Sequence, residues 1–492
     1  MRRRERARRR FAGGGRIYRN AALRSVLFAM DSLELARWQF AITTIFHFLF
    51  VPVTIGLAAF TAYFQTRWHR SGDEKWLRAT KFWGKLLLIS FALGVVTGIV
   101  QEFQFGMNWS NYSRFVGDIF GAPLAMEALA AFFVESTFLG LWIFGWGRLP
   151  RKVHLATIWL VAGSTALSAY FILAANSWMQ HPVGFEIQDG KAVLTSIWAV
   201  LTNNTAIYAF VHTILGALIT AATLIIAVSA YHLLRKNETE IFSSCMRTAI
   251  PVLAVASLAT ATVGHFNGVL MTEQQPMKMA AAEAIFETQR GAGLSLFAVG
   301  DFEHNPEGLK RNIEIPGLTS FIAHLDFNAE VKGINDLNQQ YRQVYGPGEY
   351  APIVAVQYWT WRAMIGAGFA MIAIGFYGWW LLRKRKLETS RRFLKLALFV
   401  PALPVIANAA GWIFTEMGRQ PWVVFGILRT SDAASPAVST AEVAITLIGF
   451  TLLYGVLALI AGRLFVQKAR QGPDPERGVP PAEGEPDLSL AY

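Results

Sequence analysis

Nine long apolar stretches separated by polar connectors set the pattern of this chain, at 38–65, 82–104, 120–146, 154–178, 206–234, 249–271, 354–382, 393–416 and 438–463. Each reaches the roughly 20 residues that a helix needs to cross a bilayer. The pattern predicts an all-α polytopic membrane protein with about nine transmembrane helices. Basic residues follow every second stretch: Arg67, Arg70, Lys75, Arg78, Lys81 and Lys85; Arg148, Arg151 and Lys152; Arg235, Lys236 and Arg247; then the run 383–386 with Arg391 and Arg392. Such connectors stay in the cytoplasm, so the working chain is expected to begin outside and end inside.

The connectors also divide the chain. Residues 30–271 carry helices one to six, 272–353 form one polar external segment, and 354–467 carry helices seven to nine. A segment of roughly 80 residues is too long for a simple connector, and Pro276 suits the first turn of a short Ala-rich helix at its start. Residues 468–492, with five prolines, read as a disordered cytoplasmic tail.

Composition narrows the class without changing it. With 53% hydrophobic and only 16% charged residues, the 492-residue chain is not a string of soluble domains. Its single cysteine, Cys245, excludes an internal disulfide, a Cys-held iron–sulfur cluster, a CxxCH haem attachment and a two-cysteine copper centre. The net charge of +12 does not point to nucleic acid, because residues 1–29 hold ten arginines against one glutamate. That Arg-rich extension lacks the uninterrupted apolar core of a signal peptide. Met30-Asp31-Ser32-Leu33-Glu34 reads as the true start, with Asp31 or Ser32 as helix N-cap.

Candidate chemistry comes from polar residues where lipid rejects them. An ionisable group at membrane depth costs a few kcal/mol and normally faces a protein interior or a cofactor. The eighth stretch closes on Gly411-Trp412-Ile413-Phe414-Thr415-Glu416-Met417-Gly418-Arg419-Gln420-Pro421-Trp422, where Trp412, Glu416 and Arg419 share a helical face. Glu416 and Arg419 read equally well as a structural ion pair or as part of a site. Glu127 and Glu135 lie about 12 Å apart along one helix and within roughly 80° around it, as two steps of a proton path or as a ligand and a relay. His47 and His212 lie in the first and fifth stretches, with Gly216 and Ala217 a turn from His212 leaving room for something flat. Met364 lies in the seventh, two residues after Arg362. A histidine and a methionine from different helices can form the axial pair of a low-spin haem, and Arg362 could pair with a propionate. His69, His154 and His232 are expected at the interface, and His265 has no evident partner.

Five motifs carry a resemblance: Arg37-Trp38-Gln39-Phe40 before His47; 101–109, reading QEFQFGMNW; 117–124, reading GDIFGAPL; Glu135-Ser136-Thr137-Phe138; and Gly418-Arg419-Gln420-Pro421-Trp422. From about Asp31 to Gln467 the chain resembles subunit I of the cytochrome bd-type quinol oxidases. The resemblance implies that His212 and Met364 are the axial ligands of a low-spin haem b. It implies that His47, Glu127 and Glu416 are ligands shared between a high-spin haem b and the oxygen-reducing haem, with Glu135 on the proton path. Lys278 and Glu283 then match quinol-binding positions of the external segment, the Q-loop, which is of the short kind here. Arg419 and Trp412 match haem-site neighbours. The implied cofactors are two haem b and one haem d, or haem b in place of haem d in a cyanide-insensitive member. The implied partners are subunit II, small single-helix accessory subunits, menaquinol or ubiquinol, O2 and the lipid bilayer of the bacterial cytoplasmic membrane. A proton-coupled transporter would bury carboxylates too, but would not explain the histidine and methionine. A haem–copper oxidase needs an adjacent histidine pair that this sequence lacks.

Overall fold

A computed structural model describes residues 31–302 and 309–474. The extension 1–29, the proposed start at Met30, His304 and the tail from 475 lie outside the described residues.

Nine candidate membrane spans occur among the described residues. The first two, α1 (Ser32–Ser71) and α2 (Glu74–Met107), run antiparallel and pack side by side. Asp31 caps α1 by accepting from the Glu34 backbone N–H at 2.7 Å. The third span is α3 (Ser110–Met126), a π-helical segment (Glu127–Phe132) and α4 (Phe133–Phe144). Then come α5 (Arg151–Gln180), a hairpin of β1 (Phe185–Gln188) and β2 (Lys191–Leu194), the short α6 (Ile197–Leu201), and the long pair α7 (Asn204–Leu234) and α8 (Thr239–Gln274).

The described residues of the 272–353 segment are folded. Its first element is α9 (Pro276–Ala282), with Pro276 at the first helical position as expected. Strands β3 (Gln289–Arg290), β4 (Leu294–Val299), β5 (Lys310–Ile315) and β6 (Glu330–Val331) pair as β3 with β6 and β4 with β5, and α10 (Leu318–His324) and α11 (Ile334–Tyr345) complete it. Met277, Ala280, Tyr341, Tyr350 and Trp422 bury one small core that clamps this segment to the end of the eighth span.

The last spans are α12 (Val354–Arg383), a broken span of α13 (Arg391–Ala397) and α14 (Ala402–Met417), and α16 (Thr440–Gln471). Between the last two lie β7 (Trp422–Val424), β8 (Leu428–Arg429) and α15 (Thr430–Ala433). The eighth stretch, read as one helix, breaks ahead of α14 at Pro401, which has no N–H to continue the ladder. The expected tail boundary at 468 also moves, because α16 continues to Gln471. Asp474 then pairs with Lys85 at 2.7 Å.

The chain's up-and-down order puts Asp31, Asn108, Gln180, the folded 272–353 segment, Arg419 and Ser439 at one end of the bundle. The opposite half is packed tightly, with Trp83, Trp142, Phe64, Phe242 and Phe393 fully buried. His154 and His232, expected at the interface, are buried in that half. His154 bonds Gln65 at 2.9 Å and the Trp142 carbonyl at 2.8 Å, and His232 bonds the Ala469 carbonyl at 2.8 Å. These bonds satisfy the imidazoles, so water is not required.

Candidate functional site

The fourth span organises the site. Thr165, Ser168, Asn176 and Gln180 of α5 fall within about a third of its circumference. Each bonds one charged residue singled out in the sequence. Thr165 Oγ1 lies 3.0 Å from Glu135 Oε1, and Ser168 Oγ donates to Glu127 Oε1 at 2.6 Å. Asn176 Nδ2 donates to Glu416 Oε1 at 3.0 Å. Lys278 Nζ donates to Gln180 Oε1 at 2.7 Å. The stripe therefore runs from Glu135 inside the bundle to Lys278 at the loop end.

The π-helical segment explains how both carboxylates of the third span reach α5. It begins at Glu127 and widens the turn, an irregularity that recurs at functional sites. The wider turn brings the two positions closer around the axis than a regular helix does, in keeping with the arc of roughly 80° expected from the sequence. Glu127 and Glu135 both address the face of α5 that carries Thr165 and Ser168, three residues apart.

Glu416 is held from two sides, by Asn176 and by the Arg419 guanidinium, so the ion pair and the site coexist. Arg419 is 3% exposed, and its Nε and Nη1 have no hydrogen-bond partner. A buried cation with free donors fits a carboxylate such as a haem propionate. Trp412 lies one turn before Glu416 and meets Phe48 of α1 edge-on, with ring centroids 5.0 Å apart, next to His47. His47 Nδ1 lies 2.8 Å from Thr97 Oγ1.

His212 and Met364 lie on α7 and α12, both of which pack against α8. His212 Nδ1 is buried without a partner. The small residue facing this ring is Gly264 of α8, where a Cβ would come 3.3 Å from Cε1. Ala217 is instead packed against Gly56 of α1, so it does not leave the flat space expected of it. A Cβ at Gly411 would come 3.2 Å from Met364 Sδ. An imidazole and a thioether set among small residues fit the axial ligands of a haem. Among the described residues no three His, Cys, Asp or Glu side chains gather as a metal-ion site. His47, Glu127 and Glu416 are thus not gathered into one such cluster.

Lys278 and Glu283 are both buried, at 4% and 1% exposure. Glu283 accepts from Trp361 Nε1 at 2.7 Å and from Arg362 Nη2 at 2.7 Å. Arg362 also donates to the Ser295 carbonyl at 2.8 Å and the Ala282 carbonyl at 2.6 Å. The expected propionate partner therefore faces the loop, and Arg419 has the free donors. Burial, helped by the nearby Arg419 cation and opposed by Glu416, pulls the Lys278 ammonium from 10.5 down to about 7. Trp361 packs with Ala282 and Phe414, and Met364 joins that cluster. His265 is stacked on Phe321 of the loop at 5.5 Å.

Sequence reasoning missed the neutral partners: Thr97, Thr165, Ser168, Asn176, Gln180 and Trp361. The helical spacing of polar residues on α5 was the available signal.

A helical membrane bundle that places isolated imidazole, thioether and carboxylate donors among apolar helices, beneath a folded polar loop, is built as a membrane oxidoreductase that holds its redox groups between helices. The chain belongs to the cytochrome bd terminal oxidase subunit I family, whose model matches residues 35–473. Cytochrome bd ubiquinol oxidase subunit 1 of Bacillus subtilis (strain 168) is 46% identical over 444 residues, which cover 90% of this chain and 94% of the relative. Cytochrome bd-II ubiquinol oxidase subunit 1 of Escherichia coli (strain K12) is 36% identical, with 92% and 99% covered. The bd oxidase of Geobacillus thermodenitrificans has the same fold, with a TM-score of 0.82 at 29% identity over 90% of this chain and 99% of that one. The chain is thus a multi-pass bacterial membrane protein and a haem-bearing subunit of a terminal quinol oxidase.

Proposed function

We propose that this chain oxidises quinol at the outer face, within the 272–353 segment, and reduces O2 to water inside the bundle with protons from the cytoplasm. Glu283 accepts a hydroxyl proton from quinol as general base, and Lys278 holds a quinol oxygen. Trp361 and Arg362 fix the carboxylate of Glu283, and Gln180 fixes the ammonium of Lys278. His212 with Met364 would hold one haem, and His47, Glu127 and Glu416 the other two; these groups would supply the electron relay and the oxygen-binding iron. Arg419 would balance propionate charge. Glu135, held by Thr165, passes protons from the cytoplasmic side toward Glu127, which Ser168 holds. Quinol protons leave outside while oxygen takes protons from inside, so turnover generates a proton motive force without a pump.

One observation carries the reading: Trp361, Arg362 and Met364 occupy a single turn of α12. The same turn that clamps the quinol base presents the ligand of the electron-accepting haem. The orientation rests on the basic connectors, which all fall at the end opposite the loop. The cofactor set is two haem b and one haem d, with haem b alone as the second reading. Subunit II completes the oxidase, with small single-helix subunits as further partners. Glu283→Gln tests the assignment: quinol oxidation falls while haem content stays at the parent level. Parent-level quinol turnover in that variant would overturn it.

A further inference from the structure

Thr97 of α2 has no role in the reading above, yet it sits against a proposed haem ligand. Helices α1 and α2 are joined by several polar rungs, three of which lie around His47. Gln104 Nε2 donates to Thr43 Oγ1 at 2.7 Å, Gln101 Nε2 donates to Thr44 Oγ1 at 2.6 Å, and Thr97 Oγ1 meets His47 Nδ1 at 2.8 Å. Positions 97, 101 and 104 lie on one face of α2, and 43, 44 and 47 on one face of α1. The two amide rungs fix the helix register and so hold Thr97 opposite His47.

A hydroxyl has one hydrogen and two lone pairs. Thr97 Oγ1 lies 2.7 Å from the Leu93 carbonyl and 3.2 Å from the Gly94 carbonyl, both acceptors only. Its hydrogen is committed to that preceding turn, so it has only a lone pair for His47. The N–H must then be on Nδ1 of His47. We infer that Thr97 is a positioning residue that locks His47 in the Nδ1–H tautomer and presents the Nε2 lone pair to iron. Gly98 lets the Cε1 edge of the ring approach α2, since a Cβ there would come 3.1 Å from Cε1. A hydrogen bond from the distal N–H makes an imidazole a stronger donor, fixes its orientation and favours ferric over ferrous iron. The inference rests on the reading that His47 ligates a haem.

The test compares Thr97→Val, Thr97→Ser and His47→Ala in the assembled oxidase. The readouts are the ferrous iron–histidine stretching band in resonance Raman spectra, the midpoint potential of that haem, and haem occupancy. The low-spin haem serves as the internal marker of folding. Thr97→Val keeps the shape and loses the acceptor: the band moves to lower frequency, the potential rises, and haem affinity falls on the order of 10- to 100-fold. Thr97→Ser restores all three. An unmoved band and potential in Thr97→Val, or a serine variant that behaves like valine, overturns the inference. A parent-like spectrum in His47→Ala overturns the underlying ligand reading instead.

Discussion

Replacing Arg362 with methionine keeps a long apolar stem and removes one partner of a buried pair. The Glu283 side chain is 1% exposed and that of Arg362 11%, so solvent screens the pair little. Leaving one charge of such a pair unpaired costs about 3–5 kcal/mol. Each 1.36 kcal/mol is tenfold in rate, so electron entry from quinol is expected to slow by about 10²- to 10⁴-fold if that cost falls on the step that needs ionised Glu283. Arg362→Lys keeps the charge but cannot reach Glu283 and both loop carbonyls with a planar fork, and is expected to fall between the two. The assay is stopped-flow reduction of the low-spin haem by quinol, with a chemical reductant that bypasses the loop as the control. The reasoning is refuted if quinol reduces Arg362→Met at the parent rate. It is refuted equally if the bypass reductant slows in parallel, since the damage then lies at the haem.

The pH dependence follows from Lys278, whose ammonium is held at about 7 by burial and by Arg419. Raising pH through that value removes the proton that would bond a quinol oxygen, so KM for quinol rises, and Lys278→Met abolishes the dependence. For stability the sign is opposite. Unfolded lysine keeps its proton to about 10.4, so the unfolded chain binds more protons between about 7 and 10.4. Stability therefore increases with pH across that window, and thermal unfolding of Lys278→Met lacks this contribution. Gln180→Leu removes a hydrogen bond to a charged group, which costs about 1.5–3 kcal/mol; quinol affinity, measured by titration, is expected to fall about 10- to 100-fold. Thr165→Val removes the hydroxyl that contacts Glu135, and oxygen reduction measured by flow-flash is expected to slow about tenfold while quinol-driven haem reduction keeps its rate. Equal slowing of both steps would place Thr165 outside the proton path.

Much of this architecture was legible in the pattern of apolar runs, because lipid forces each spanning segment to be long, apolar and helical. Charged residues within those runs were legible for the same reason. Glu127, Glu135, Glu416 and Arg419 stood out because burying a charge is costly, and each proves to have a specific partner. Two features were not legible. The π-helical turn at Glu127 adjusts one helix to its neighbours, and no residue in Glu-Ala-Leu-Ala-Ala-Phe announces it. The neutral residues of α5 cost little in a membrane helix, so Ser168 or Asn176 alone drew no notice; their meaning appears only when the facing carboxylates are placed. Arg362 shows a third limit. Spacing put it beside Met364, but a fold 79 residues away in sequence brought Glu283 to its guanidinium. The motifs acquire physical content in the same way: Arg37 of the first donates to Gln420 of the last at 3.2 Å.

The most direct test is the reduced-minus-oxidised spectrum of the purified oxidase in Met364→Leu, His47→Ala and Glu416→Ala, recorded side by side. The account predicts separable losses: Met364→Leu alters only the low-spin signal, while His47→Ala and Glu416→Ala remove intensity from the oxygen-side haems and leave the low-spin signal in place. Identical spectra in all three variants would contradict it.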